Sequence, residues 1–185
     1  MAYPSKTSAI QILEVALNML RKDGLGALSM RTLAAELGVR ASSLYRYFPD
    51  RSSIETGLAG IAAEGLRARM ASAVDDLEGP TAMRAGAAAY RDYAHAEPAL
   101  YDLLMGPGIP AEQVQSLGKP VWNLLLKLVG GVTDDPDDTT TAVAIWSFLH
   151  GYVALERSGR FGASGPKGGF ERGLEALIRR RAATG

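Results

Sequence analysis

Apolar residues recur at spacings of three and four along most of the chain, which is the repeat of an amphipathic α-helix. Ile10, Leu13, Leu17 and Leu20 form one such stripe near the N-terminus. No segment shows the strict alternation of a half-buried strand, so the pattern predicts an all-α fold. About nine helices are predicted, over residues 6–23, 30–37, 41–47, 50–73, 81–96, 98–105, 111–129, 137–157 and 170–181.

Capping residues mark where the first three helices begin and end. Ser8 and Gln11 have the spacing of a capping box, and Gly24 is a natural C-terminal stop. Ser29 suits the N-cap of the second helix. Pro49 ends the third helix, because a residue that precedes proline disfavours the α region.

The later boundaries fall at proline, glycine and acidic residues. The fourth helix starts either with Asp50 as its cap or with a capping box of Ser52 and Glu55, and Gly79-Pro80 closes it. Three segments are predicted to be loops or flexible connections: "GPGIP" at 106–110, "GGVTDDPDD" at 130–138 and "SGRFGASGPKGG" at 158–169.

The stretch "LAAELGVRASSLYRYFPD", from Leu33 to Asp50, has the pattern of two short helices that meet at a tight turn. Ala34 is small enough for the helices to approach closely, and Gly38 accepts the positive φ that the turn needs. The apolar residues that would anchor this unit to a third helix are Leu33, Leu37, Val39 and Leu44. The pattern predicts a helix-turn-helix, with an ordinary αα-hairpin as the alternative.

The second helix of this unit presents short polar and basic side chains, which suit the major groove of DNA. Serine hydroxyls can bond phosphates or base edges, and Arg46 can bond a guanine edge or hold a phosphate. Tyr45 and Tyr47 are two positions apart, so they cannot share one helical face. Tyr47 is therefore either a contact at the flank of the DNA or a ring in the core.

Composition narrows the class of protein. Apolar residues make up 47% of the 185 residues, yet no apolar run is long enough to cross a bilayer, and the N-terminus lacks the apolar core of a signal peptide. There is no cysteine, and the two histidines match no catalytic or metal motif. We therefore expect a soluble, cytoplasmic protein that is not an enzyme, does not enter a membrane and needs no metal or cofactor.

The net charge of zero conceals an asymmetry along the chain. Residues 1–51 carry seven lysines and arginines against four acidic residues, which gives +3, and residues 52–185 carry −3. A basic N-terminal part on an acidic body is typical of a polyanion-binding module attached to a domain with another task.

The segment "ALSMRTLAAELGVRASSLYRYFPDRSSI" resembles the DNA-binding segment of the tetracycline-repressor (TetR) family of bacterial transcription regulators. That family has a helix-turn-helix ending in Leu-Tyr-x-His/Tyr-Phe, followed by a polar residue and then a lysine or arginine. Those positions are occupied here by Leu44, Tyr45, Tyr47, Phe48 and Arg51. The close resemblance covers residues 6–62.

A second segment, "AIWSFLHGYVALERSG", is similar to the Trp-x-x-x-His-Gly segment in one branch of these regulators. Trp146, His150 and Gly151 stand at its positions.

The resemblance implies an N-terminal three-helix DNA-binding domain at residues 1–51, connected by the fourth helix to a ligand-binding and dimerisation domain at 52–185. It implies a homodimer that pairs through its last two helices and binds double-stranded DNA at an inverted repeat. The DNA contacts expected are Ser29, Arg31, Thr32, Arg40, Ala41, Ser42, Ser43, Tyr45, Arg46, Tyr47 and Arg51.

It also implies a pocket for a small-molecule effector that is fairly apolar and releases a repressor from its operator. The residues expected there are Tyr90, Tyr93, Tyr101, Leu104, Met105, Trp122, Leu126, Trp146 and His150, with His95 as a further polar group. The fourth helix would act as the lever, and its Gly57, Gly60 and Gly65 suit either close packing or bending. The alternative function is a helical protein that binds small molecules or partners and has no DNA-binding role.

Overall fold

The computed structural model of the chain describes residues 7–162, 165 and 167–179. In this part of the chain the regular structure is entirely helical, which confirms the predicted all-α fold. A 3₁₀ turn covers Leu25–Ala27. The α-helices are α1 (Ala9–Asp23), α2 (Met30–Glu36), α3 (Ala41–Leu44), α4 (Arg51–Ala73), α5 (Gly79–Ala96), α6 (Pro98–Met105), α7 (Ala111–Thr133), α8 (Thr139–Arg157) and α9 (Gly169–Ile178).

The predicted caps of the first two helices are present. The Ser8 amide donates to Gln11 Oε1 at 3.0 Å, and the Gln11 amide donates to Ser8 Oγ at 3.2 Å. The Gly24 amide closes α1 on the carbonyl of Leu20 at 3.0 Å. Ser29 caps α2, and Thr32 completes a capping box with it.

Of the two starts considered for α4, the structure has the cap by Asp50. The Ser53 amide donates to Asp50 Oδ1 at 2.7 Å, and Ser53 Oγ donates to the Asp50 carbonyl at 2.6 Å. Ser52 lies inside α4, and the Glu55 side chain pairs with the side chain of Arg51.

Several predicted boundaries were wrong. α1 begins at Ala9 and α8 at Thr139, later than predicted, and the predicted end of the last helix at 181 lies outside the described residues. Three further boundaries differ as follows. The third helix ends at Leu44, and the residues through Tyr47 form a turn. α5 begins at Gly79, because Pro80 fits the first turn of a helix, where no backbone donor is needed. α7 continues through the predicted loop at 130–133 to Thr133, whose hydroxyl donates to the carbonyl of Val129 at 3.1 Å.

The chain forms two compact units, and it passes between them three times. Unit 1 comprises the chain up to Ala63 together with Glu97–Gly118, and unit 2 comprises Glu64–Ala96 together with the chain from Lys119. α6 and the start of α7 therefore belong to the same compact unit as the helix-turn-helix. The functional division at residue 51 stays a prediction.

Unit 1 is built on α1, which packs against α2 and α6. We call α1 to α3, with the turn through Tyr47, the head. The helix-turn-helix closes as predicted: Gly38 has φ +64°, and the Val39 amide donates to the Ala34 carbonyl at 3.0 Å. The head's core is formed by the buried residues Ile12, Ala16, Leu20, Leu28, Leu33, Ala34 and Leu44.

Unit 2 is built on α5, which packs against α8 and α9. Its core includes the buried side chains of Tyr90, Leu125, Ile145, Leu149 and Leu174. α9 lies close to α8, since a Cβ added at Gly173 would meet the ring of Phe148.

Two glycines of α4 allow close packing within their own units. A Cβ at Gly57 would lie 2.7 Å from Leu13 Cδ2, and a Cβ at Gly65 would lie 3.1 Å from the hydroxyl of Tyr93. Gly60 has more room, because its Cβ would lie 3.5 Å from Leu117 Cδ2. The structure therefore accounts for Gly57 and Gly65 by packing.

Candidate nucleic-acid interface

The predicted recognition helix is anchored on one side and open on the other. Leu44 of α3 is fully buried in the core of the head, and this burial holds α3 in place. Arg40, Ser42, Tyr45 and Arg46 are exposed, and Tyr45 keeps 52% of its surface although it is a large aromatic residue. Ala41 and Ser43 are half-buried. The side chains that α3 itself leaves open to solvent, those of Ala41, Ser42 and Ser43, are all short.

Arg46 and Tyr47 form a stacked pair at the end of this surface. The guanidinium carbon of Arg46 lies 5.9 Å from the centre of the Tyr47 ring. The Tyr47 hydroxyl donates to the backbone carbonyl of Thr7 at 2.6 Å, which ties the end of the turn to the start of α1. Tyr47 is half-buried, so this ring has an internal task, and Arg46 is the more exposed of the two.

Ser29 and Thr32 are used in folding α2. Their side chains form the capping box, and Thr32 Oγ1 lies 2.9 Å from the carbonyl of Ala27. Arg31, between them, is exposed. A DNA contact by any of the three stays a prediction.

Arg51 links two elements of unit 1. Its Nε donates to Glu55 Oε1 at 2.6 Å, and its Nη2 donates to the Leu25 carbonyl in the 3₁₀ turn at 3.0 Å. The Glu55 side chain is only 12% exposed, so the pair is partly shielded from water. Arg51 therefore holds the start of α4 against the head.

The surface around α3 carries positive charge without internal neutralisation. Within the described residues, Arg31, Arg40 and Arg46 are exposed and form no ion pair. Unpaired arginines with short neighbours can approach the phosphate backbone of DNA. Contacts between such basic side chains and phosphates supply a large share of the affinity of a DNA-binding protein. Ten of the eleven predicted contacts lie in α2, in α3, at the N-caps of these two helices or in the turn that follows, and Arg51 lies at the start of α4.

The nine residues predicted to bind an effector are divided between the two units. Tyr101, Leu104 and Met105 lie on α6 in unit 1, and the other six lie in unit 2. Within unit 2, the rings of Tyr90 and Trp146 meet edge to face with their centres 5.9 Å apart. Four surface pockets of unit 2 are lined by other residues. The effector site stays a prediction.

Sequence reasoning missed a polar cluster that joins α5 to α8. Arg91 Nε donates to Glu156 Oε2 at 2.8 Å, and His95 Nε2 lies 2.8 Å from the same oxygen. The hydrogen bond from Arg91, with a smaller one from His95, lowers the pKa of the Glu156 carboxyl from 4.5 to about 2. The signal in the sequence was the spacing of Arg91 and His95, since residues four apart share one face of a helix.

Arg91 also lies over two aromatic rings. Its guanidinium carbon is 5.1 Å from the centre of the Phe170 ring and 5.8 Å from that of Tyr152. A cavity of about 300 Å³ opens beside this cluster, lined by Arg91, Tyr152, Glu156, Phe161, Lys167, Glu171 and four glycines.

Other kinds of site are not found in the described part of the chain. No group of three or more histidine, aspartate or glutamate side chains there could hold a metal ion. No helix among the described residues is both long and apolar enough to cross a membrane.

Two family models match the chain. The model for bacterial regulatory proteins of the tetR family matches residues 12–54, which contain the helix-turn-helix. The model for the tetracyclin repressor-like C-terminal domain matches residues 83–180, more than half of the chain.

An uncharacterised HTH-type transcriptional regulator of Mycobacterium tuberculosis is 28% identical over 167 residues, covering 85% of this chain and 74% of that protein. A protein of unknown function from Rhodococcus sp. RHA1 has the same fold, with a TM-score of 0.77 at 24% identity over 96% of this chain and 98% of the other. A TetR variant from Acinetobacter baumannii in complex with minocycline has a TM-score of 0.62 at 19% identity, over 94% and 96% of the two chains.

Family membership confirms the expectation that the protein is not an enzyme, and it excludes the one alternative function, a helical protein with no DNA-binding role. The Trp-x-x-x-His-Gly branch stays a prediction. With the helix-turn-helix formed, its second helix exposed and both family models matched, the chain belongs to the TetR family of DNA-binding transcriptional regulators.

Proposed function

We propose that the protein is a repressor that binds an inverted-repeat operator as a homodimer and is released by a small, fairly apolar ligand. In this proposal residues 1–51 bind DNA and residues 52–185 bind the ligand and the second copy. The observation that carries it is the exposed face of α3, where arginines without internal partners stand beside short side chains.

DNA contacts are assigned by exposure. Arg40, Ser42, Tyr45 and Arg46 face solvent and are the direct contacts, with Ala41 and Ser43 allowing the helix backbone to come close. Arg31 binds a phosphate. The internal hydrogen bonds of four predicted contacts stabilise the head: Ser29, Thr32, Tyr47 and Arg51. Each of them contacts DNA with the part of its side chain that is exposed to solvent.

The dimer is supported by one face of α8. Using 100° per residue, seven uncharged positions fall within an arc of about 120° on this helix. Val143 is 54% exposed and Leu155 48% exposed, which is unusual for large apolar side chains. The remaining members are small or carry a hydroxyl group: Thr140, Ala144, Ser147, Gly151 and Ala154. A second copy that packs on this face would cover it symmetrically.

The ligand is supported by more distant observations. The complex of the Acinetobacter baumannii TetR variant with minocycline shows that a protein of this fold holds a small molecule. The nine predicted residues include five aromatic side chains, which suit an apolar, ring-containing compound. A ligand of this kind releases DNA only through a difference in affinity between the two states of the protein.

The experiment that tests DNA binding selects operators from random duplex DNA with the purified protein and then measures affinity by fluorescence anisotropy at several salt concentrations. We expect paired half-sites centred about 34–36 Å apart. Arg46→Ala should weaken binding and reduce the slope of log affinity against log salt by about 1 for each phosphate that the variant no longer neutralises.

Lys127→Ala is the matched control for that experiment, because it removes an exposed positive charge from α7 in unit 2. It should leave both the affinity and the slope unchanged. Equal decreases in the two variants would show that general charge, and not the face of α3, accounts for binding.

A further inference from the structure

An ion pair fastens the head at one of the three places where the chain passes between the units. Glu97 is the first residue of unit 1 after the second passage. Its Oε2 accepts from Arg21 Nε at 3.0 Å, and its Oε1 accepts from Arg21 Nη2 at 2.8 Å. Arg21 lies in the last turn of α1, so the pair joins the first helix of the head to the start of α6.

The other two passages are fastened within unit 1 by different elements. Thr56 Oγ1 donates to Gln113 Oε1 at 2.6 Å, which joins α4 to the first turn of α7. Leu13 of α1 lies against Gly57 of α4. These contacts lie five or more residues before the first and third passages, whereas the bond from Arg21 of α1 falls on Glu97, directly at the second passage.

The geometry of the pair fixes orientation as well as distance. Two parallel N–H donors that face two carboxylate oxygens set the relative angle of the groups they join. Glu97 occupies the N-cap position of α6, but its side chain makes no capping hydrogen bond, so its carboxylate is committed to Arg21. The Arg21 and Glu97 side chains are 46% and 28% exposed, and pairs this exposed add little to global stability.

From this placement we propose that Arg21 and Glu97 are a positioning pair that fixes the head on α6 and thereby sets which half-site spacing the dimer accepts. The proposal rests on the proposed dimer and its inverted-repeat operator. Neither Arg21 nor Glu97 is among the proposed DNA contacts. Without the pair, α1 can rotate against α6. A duplex whose half-sites are displaced by one base pair then loses less affinity relative to the correct operator than it does with the wild-type protein.

The test compares affinities for three duplexes: the operator selected by the wild-type protein, and the same operator with one base pair added or removed between its half-sites. The variants are Arg21→Gln, Glu97→Gln and the double substitution. We expect the ratio of affinities for the correct and altered spacings to fall about threefold to tenfold in each single variant. One exposed ion pair changes an equilibrium constant by up to a few fold, and the dimer contains two such pairs. The double variant should fall no further, since both single changes remove the same interaction.

The matched control is Arg67→Gln. Arg67 makes the same two-bond contact with Glu64, at 2.8 Å and 2.6 Å, but both residues lie on one helix. Its spacing ratio should equal that of the wild type. Thermal unfolding of every variant checks that the fold is kept.

Three outcomes overturn the proposal. An unchanged spacing ratio with intact operator binding shows that the pair does not position the head. Equal decreases in affinity for all three spacings show that the pair is only structural. If the wild-type protein selects no paired half-sites, the proposed function fails and this inference fails with it.

Discussion

Single residues fix the turn between α2 and α3. Gly38 has φ +64°, a conformation that costs an L side chain about 1–2 kcal/mol. A Cβ at this position would have nothing within 4 Å, so the cost of a substitution there comes from the backbone and not from a clash. The turn therefore depends on the absence of a side chain.

Gly38→Ala should lower the free energy of unfolding by about 1–2 kcal/mol because of that backbone strain. The measurement is equilibrium unfolding in urea. Gly26→Ala is the control in the same unit: Gly26 also has nothing within 4 Å of its Cβ position, but its φ is not positive. That variant should be neutral or stabilised by up to about 1 kcal/mol. Equal destabilisation of both variants would contradict the argument from φ.

Residues with a local signature could be predicted, and residues defined by distant contacts could not. Gly38 and the Ser8 cap were correct, because each acts through its own backbone or through a residue three positions away. Tyr47 was left open between core and DNA, and its bond to Thr7 spans 40 positions. Arg51 was predicted only as a DNA contact, since nothing local indicates that it also reaches Leu25.

Pairs of helices are joined by polar bonds as well as by apolar contacts. In unit 2, Arg91 and His95 of α5 both bond Glu156 of α8. The pKa of Glu156 is about 2 in the folded protein and 4.5 in the unfolded reference. Between those two values the unfolded chain binds more protons, so the free energy of unfolding rises with pH in this window.

Glu156→Gln should therefore differ most from the wild-type protein above pH 4.5. As the pH falls from 4.5 to about 2, the wild-type carboxylate takes up a proton and its contribution disappears. The difference in unfolding free energy between wild type and variant should shrink across this range. Urea unfolding at a series of pH values measures it, with Arg91→Met expected to behave in the same way. A difference that stays constant from pH 6 to 2 would contradict the assigned pKa.

The existence of the helices was predictable from the sequence, whereas their ends were predictable only where a local signal marks them. α6 was correct at both ends, because Pro98 and the glycine after Met105 are strong local signals. α7 was cut short at Val129 in the prediction, since two glycines follow it. In the structure α7 continues to Thr133, and Gly130 serves packing: a Cβ there would lie 3.0 Å from Cα of Pro136. That close approach exists only in the folded chain.

At the scale of the whole molecule, the proposed dimer depends on the open face of α8. Val143 and Leu155 expose apolar surface on one side of a helix whose opposite side is buried at Ala142, Ile145 and Leu149. One helix therefore serves the core of its own unit and leaves a second apolar face open.

Val143→Asp should raise the dissociation constant of the proposed dimer about tenfold or more, because it buries a carboxylate in an apolar contact. Affinity for the full operator should fall with it, since two linked heads bind more tightly than one. Sedimentation equilibrium and anisotropy give the two values. Leu77→Asp is the control: Leu77 is 38% exposed and lies outside α8. A dimer that survives Val143→Asp and separates with Leu77→Asp would locate the interface elsewhere.

The ligand site was the least predictable feature. Aromatic and apolar residues such as Tyr90 and Leu104 line pockets and fill cores alike, and both are buried here. A helix-turn-helix differs, because its turn, its small residue and its exposed polar face must agree at fixed spacings. The sequence therefore predicted the helix-turn-helix and its exposed face, and could not locate the effector site.

The shortness of α3 limits how much of the genome one head can recognise. Four helical residues rise about 6 Å, which is less than two base-pair steps of about 3.4 Å. A stretch of duplex that short recurs by chance very many times in any long DNA. A single head therefore cannot pick out one promoter, and in the proposed dimer uniqueness would come from requiring two short matches on the same molecule of DNA.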